Sequence, residues 1–263
     1  KKETKDLFDM MVNEELMDLE NRAGKSGGGF CTSFPSLERP YIFANFNGTD
    51  HDVTVLTHEA GHAFQCYQSR NQPINRYLWP TYEACEIHSM SMEFLTWDWM
   101  HLFFKEDTDK FLFKHLAGSL AFLPYGALVD HFQHWVYENP NATPKERKLQ
   151  WLELEKIYQP GKNYDDLDFL KNGGFWQKQA HIYEMPFYYI DYTLAQICAF
   201  QFWIRMQEDK EGAWKDYLEL CKAGGSMSFL DLVKLAGIKS PFDPKVFEEV
   251  ANSINDWLTE NSL

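Results

Sequence analysis

The stretch Val53-Thr54-Val55-Leu56-Thr57-His58-Glu59-Ala60-Gly61-His62-Ala63-Phe64 constrains the fold more than any other part of the chain. Its H-E-A-G-H core is an H-E-x-x-H pattern, which carries chemistry only on a helix. There, positions four apart lie on one face with Cβ atoms about 5–6 Å apart, so His58 and His62 can offer two imidazoles to one metal ion. Glu59 stands one step round the helix, where it reaches a metal-bound water instead of the metal. Two neutral nitrogen ligands beside a carboxylate base imply a zinc-dependent hydrolytic centre. Val53, Val55, Leu56, Ala60, Ala63, Phe64 and Tyr67 fit a mostly buried helix, with Asp50 or Asp52 as its cap. Gly61 costs such a helix about 1 kcal/mol against Ala, a cost that a second, closely packed helix would explain.

A hydrolytic zinc site keeps three protein ligands and one open position. A third histidine at metzincin spacing would fall on Gln68. A glutamate about twenty residues beyond the motif would fall on Thr81 or Tyr82, and the acids available nearby are Glu83 and Glu86. Glu86 opens an E-x-x-S-x-x-x-E pattern in which Glu86, Ser89 and Glu93 share a helix face. Charges inside an apolar helix are costly unless paired or metal-bound. Glu86 is therefore expected to be the third ligand, with Glu93 hydrogen-bonded to a ligand imidazole and Glu83 as the fallback.

The rest of the chain reads as mainly α. Helices are expected over Glu3–Arg22, Thr81 to about Lys105, Thr108–Glu138 with a break or kink at Pro124, Thr143-capped to about Tyr158, Phe175 to about Met206 with a break at Pro186, Glu211–Lys222, a short piece after Ser228, and Asp243 to about Trp257. Pro160–Gly174 reads as a loop or lid. Phe30–Phe34 and Tyr41–Phe46 are short and rich in aromatics and β-formers, and they read as an antiparallel hairpin turning at Pro35 to Pro40. An exposed edge there could hold a peptide by strand addition.

With 263 residues, 44% of them hydrophobic, the chain can bury a sizeable core in one or two domains. A formal charge of −14 argues against nucleic acid as a partner, and no membrane span is expected from the apolar runs. Cys31, Cys66, Cys85, Cys198 and Cys221 are odd in number and scattered, which points to reduced thiols and a cytoplasmic location. The chain opens on Lys1 in what reads as mid-helix, as a fragment would. Gly24-Lys25-Ser26 is not a phosphate loop, because the required first glycine is Leu19 and the helix precedes the triplet. His131 and His134 lack an acid at ligand spacing and read as a solvated or core face. Cys85 and His88 flank Glu86 but point elsewhere, and His51, His101 and His115 belong to no constellation. Asp165, Asp166 and Asp168 read as a solvated loop.

G-G-F-C-T-S-F, Y-I-F-A-N-F-N-G-T, D-V-x-x-L-x-H-E-x-G-H-A and E-x-x-S-x-x-x-E together resemble the oligoendopeptidase F branch of the thimet oligopeptidase family of zinc peptidases. The resemblance runs from about Gly28 to Trp97 and resumes near His181. It implies a mainly helical, zincin-like catalytic domain with a small antiparallel hairpin or sheet, spanning residues 1–263 and lacking the N-terminal helical half of family members. It implies an oligopeptide substrate, one zinc ion held by His58, His62 and Glu86, and Glu59 as the group that activates water. Manganese and cobalt suit the same donors. By the same resemblance His181 and the Tyr-rich segment after Pro186 face the zinc: His181 binds substrate or the intermediate, and Tyr189 and Tyr192 stabilise the oxyanion, with Tyr188 or Tyr183 as substitutes for Tyr189. A zinc carboxypeptidase on a related helical fold and an inert helical interaction module are the rival readings. The oligomeric state is left open.

Overall fold

The computed structural model describes residues 1–262. Lys2–Asn13 forms helix α1. The single helix expected from Glu3 to Arg22 stops there, because Glu15 adopts a left-handed backbone with φ of 53°. Met17–Glu20 instead becomes a strand, β1. Phe30–Phe34 (β2) and Arg39–Phe46 (β3) form the expected antiparallel hairpin, with Phe30 opposite Phe43 and Phe34 opposite Arg39. β1 adds to the other side of β3 in parallel, giving the order β1-β3-β2.

Lys25 pins this sheet from within. Its side chain is 2% exposed, and its ammonium donates to the Asp18 carboxylate at 3.0 Å and to the carbonyls of Asp18, Glu20 and Ala44 at 3.0, 2.8 and 2.5 Å. The same Nζ lies 4.4 Å from the centre of the Phe43 ring. The lysine of the G-K-S triplet thus bridges β1 to β3. Lys25→Met keeps the stem but leaves three carbonyls without their donor. We expect a loss of about 2–3 kcal/mol, measured by urea unfolding; parent stability would remove the clamp.

The histidine helix, α2, spans Asp50–Ser69. Thr49 occupies its N-cap position, and Asp52 Oδ2 accepts the backbone N–H groups of Asn47, Gly48 and Thr49 at 2.9, 2.6 and 3.2 Å. After a turn in which Gln65 and Ser69 both donate to the Leu78 carbonyl at 2.8 Å, Tyr82–Leu95 forms α3. The long helix expected to Lys105 is broken. Thr96 Oγ1 donates back to Met92 and Glu93 carbonyls, and Trp97 turns into a cluster with Phe94, Trp203 and Trp257. Only a short helix, α4 (His101–Phe104), follows before α5 (Thr108–Glu138).

α5 runs through Pro124 without ending. Then come α6 (Pro144–Tyr158), with the expected Thr143–Glu146 capping box, and α7 (Asp168–Lys171) inside the segment read as a loop. α8 (His181–Glu184) and α9 (Tyr189–Glu208) are separated by the turn that holds Pro186, the expected break. α10 (Lys210–Ala223), α11 (Phe229–Leu235) and α12 (Pro244–Glu260) close the chain as expected.

The chain divides into two compact units, one made of Lys1–Leu116 with the chain from Ala195 on, the other of Ala117–Leu194. In the first, Phe64 of α2 packs on Trp214 and Tyr217 of α10 at 5.5 and 6.2 Å between ring centres, and Tyr217 Oη donates to the His88 carbonyl at 2.9 Å. The second has its own core of Leu128, Val129, Phe132, Trp151, Leu154 and Trp176. Among the described residues His101–Glu138 is apolar and long enough to cross a membrane by length and composition alone, a test that core helices also pass. The five cysteines are free thiols, four of them buried.

Candidate metal centre

Helical spacing puts His58 and His62 on one side of α2, with ring centres 5.1 Å apart. α3 crosses that helix closely. A Cβ added to Gly61 would lie 2.6 Å from both the His88 carbonyl oxygen and Ser89 Cα, so glycine is what lets the two backbones meet. The crossing brings Glu86 between the imidazoles: its Oε2 is 3.2 Å from His58 Nε2 and 3.4 Å from His62 Nε2. These three side chains are a group able to hold a metal ion, with donor atoms all within 4.8 Å of one another. Glu83, the fallback, lies in the first turn of α3 and is not part of that group.

Glu86 is 3% exposed. Burial opposes its charge, but His62 and His58 hold its carboxyl well below the usual range. Ser89 Oγ donates to Glu86 Oε2 at 2.8 Å, which fixes the carboxylate. Glu93, one further turn along α3, meets His58 Nδ1 through Oε1 at 2.8 Å. Burial disfavours a charged His58, yet hydrogen bonds to Glu86 and Glu93 more than offset it and raise its affinity for a proton. A cation would compete for that place.

Glu59 is buried and does not join the three donors; its Oε2 has no hydrogen-bond partner among the described residues. Desolvation pushes its carboxyl up, as suits a base. The start of β2 lies beside it, since a Cβ on Gly29 would come within 3.6 Å of Glu59 Oε1. β2 is also an edge of the sheet.

The second unit gathers the other expected residues. The Gln179 side-chain amide donates to His181 Nδ1 at 2.8 Å, and Tyr125 Oη donates to Gln179 Oε1 at 2.9 Å. His181 Nε2 lies 3.4 Å from Tyr192 Oη. The rings of Tyr189, Tyr192 and Tyr188 are centred 5.2, 5.7 and 6.0 Å from the imidazole, whereas Tyr183 is exposed and stacks on Trp176. Burial pushes the Tyr189 phenol up to about 12, so it stays a proton donor near neutral pH. The turn before α9 is held by Phe187, left-handed at φ 65°, whose N–H donates to Gln133 at 2.9 Å.

His115 contradicts the sequence reading. It is bound to Glu93, with Nε2 2.7 Å from Oε2, and so belongs to the constellation around the candidate site. No local signal marks it, because its partner is 22 positions away. His131 and His134 are exposed, as expected for residues outside the site, and contact Tyr158 and Asp130 respectively.

An oligoendopeptidase F homologue from Borreliella burgdorferi is 26% identical over 247 residues, covering 89% of this chain and 40% of that protein. Oligopeptidase PepF of Bacillus subtilis is 23% identical over 262 residues, covering 94% and 38%. The chain thus spans less than half the length of these curated relatives. Among solved structures, PZ peptidase A with an inhibitor matches at 57% identity and a TM-score of 0.97, over 99% of this chain and 46% of that one. A protein of Bacillus anthracis str. Ames assigned to oligoendopeptidase F matches at 51% identity and a TM-score of 0.89, over 100% and 45%. The family description Peptidase family M3 fits residues 3–251, and the chain belongs to that family.

Proposed function

We propose that residues 1–263 make up one catalytic domain of a zinc-dependent peptidase acting on oligopeptides, with His58, His62 and Glu86 as the metal ligands. One observation carries the reading: two imidazole nitrogens converge on one carboxylate oxygen at 3.2 and 3.4 Å. Ligands 2.0–2.1 Å from a tetrahedral zinc are separated by about 3.3–3.4 Å, close to the distance from the Glu86 oxygen to each imidazole nitrogen. The orphaned, buried Glu59 Oε2 supports a proton acceptor whose partner is a water.

Zinc, when bound, supplies the positive charge that acidifies water and polarises a scissile carbonyl. Glu59 takes the proton from the attacking water and passes it to the leaving amine. Glu93 holds His58 with its Nδ1 proton inward and its Nε2 lone pair outward. By family resemblance His181 binds substrate, and Tyr189 and Tyr192 donate to the developing oxyanion. The free edge of β2 beside Glu59 suits a substrate held as an added strand. A cytoplasmic location follows from the scattered cysteines, which are free thiols.

Elemental analysis of the purified chain is expected to give about one zinc per molecule. A chelator should abolish peptide cleavage, and added zinc should restore it. A chain that takes up no zinc from supplemented buffer would sink the reading and leave a helical module.

A further inference from the structure

The candidate centre is backed by a hydrogen-bond chain that extends past Glu93. Glu93 accepts from two imidazoles: His58 Nδ1 at 2.8 Å on Oε1, and His115 Nε2 at 2.7 Å on Oε2. Behind His115, the indole Nε1–H of Trp97 donates to His115 Nδ1 at 3.1 Å. An indole nitrogen can only donate, so His115 Nδ1 must carry a lone pair there. The ring proton is then on Nε2, aimed at Glu93. An imidazolium at His115 would set N–H against N–H and break the indole bond.

The surroundings hold this arrangement. The His115 and Glu93 side chains are 7% and 10% exposed. Phe111 stacks on the imidazole at 5.7 Å with an interplanar angle of 8°, and Phe94 packs on it at 4.9 Å. Trp97 is itself wedged between Phe94, Trp203 and Trp257. Donation converges on Glu93, from indole to imidazole to carboxylate on one side and from the His58 imidazole on the other.

We propose that Trp97 and His115 are positioning residues for the metal ligand His58. Trp97 fixes the His115 ring with Nδ1 on the indole N–H and Nε2 on Glu93 Oε2, so the Glu93 carboxylate is oriented with Oε1 on the His58 Nδ1–H. His58 is thereby left with its Nε2 lone pair directed at the cation. The proposal rests on the reading of His58 as a ligand. Partners of this kind typically alter metal affinity roughly 10- to 100-fold when removed.

The test is zinc affinity by competition with a chromogenic chelator, together with imidazole ¹⁵N NMR of the metal-free parent. His115→Phe keeps the ring volume and loses both hydrogen bonds; zinc affinity is expected to fall roughly 10- to 100-fold. His115→Gln offers an amide donor to Glu93 and a carbonyl to Trp97, and is expected to recover most of that loss. A structural role alone would not favour Gln over Phe in so aromatic a setting. Trp97→Phe is expected to lie between parent and His115→Phe. NMR of the parent should give a pyridine-like Nδ1 and a pyrrole-like Nε2 for His115. Parent-like affinity in His115→Phe, no recovery in His115→Gln, or a doubly protonated or Nδ1-protonated His115 at neutral pH would each overturn the proposal. The NMR result decides even where a variant fails to fold. Failure of the parent to bind zinc is a separate result, which removes the ligand reading itself.

Discussion

Glu59→Gln is expected to lower turnover of a fluorogenic oligopeptide by about 10³- to 10⁴-fold while the protein still binds one zinc. The two side chains have nearly the same shape, so neither α2 nor its contact with the start of β2 should move. What disappears is a proton acceptor. General base catalysis of this sort is worth typically 10²–10⁴ in rate, and here the same group also returns the proton to the leaving amine, which places the loss at the upper end. Glu59 stands apart from the three converging donors, so zinc content should match the parent. Its Oε2 has no hydrogen-bond partner among the described residues, so an amide nitrogen there breaks no hydrogen bond in exchange. Cleavage near the parent rate would refute Glu59 as the base. Loss of zinc along with activity would instead make Glu59 part of the metal site.

How far such a site can be read from residues alone depends on whether its geometry is local. The His58–His62 pair is legible because helical periodicity fixes it within one turn of α2. Glu86 is legible because three polar side chains at helical spacing inside an apolar segment demand a reason, and α3 is buried along almost its whole length. The same logic fails for His115. Its meaning lies in Glu93, and only tertiary packing brings them together. β1 fails for a related reason: Met17–Glu20 is a strand because β3 offers it a partner, while its own sequence continues an amphipathic helical pattern. In sequence Lys25 belongs only to a triplet that fails as a phosphate loop, and its role emerges only when the chain folds Asp18 and Ala44 around it. The tyrosine–histidine cluster lies between these cases. The family resemblance points to His181, Tyr189 and Tyr192, whereas the Gln179 link that orients His181 carries no motif at all.

Gly61→Ala tests whether the crossing of α2 and α3 builds the metal site. On propensity alone the substitution should stabilise α2 by about 1 kcal/mol. The structure opposes this. The added methyl would sit 2.6 Å from the His88 carbonyl oxygen, 2.6 Å from Ser89 Cα and 2.9 Å from Met92 Cβ. Two of those atoms are backbone and cannot rotate away, so α3 must shift. Overpacking of this kind costs about 1–3 kcal/mol, and rigid backbone contacts place it high in that range. A net loss of about 1–2 kcal/mol is therefore expected in urea unfolding of the metal-free chain. His88 and Ser89 follow Glu86 within one turn, so the shift also carries Glu86 Oε2 away from the imidazoles, and zinc affinity should fall at least about tenfold, or 1.4 kcal/mol. Gly118→Ala is the matched control, since nothing lies within 4 Å of its added Cβ. There propensity acts unopposed, and the same measurement should give parent or higher stability with unchanged zinc binding. If both variants gained stability and bound zinc alike, the close approach at Gly61 would be incidental to the site. If Gly61→Ala alone loses both, the glycine inside H-E-A-G-H is as much a part of the metal site as the residues around it, because it sets the distance at which the third ligand arrives.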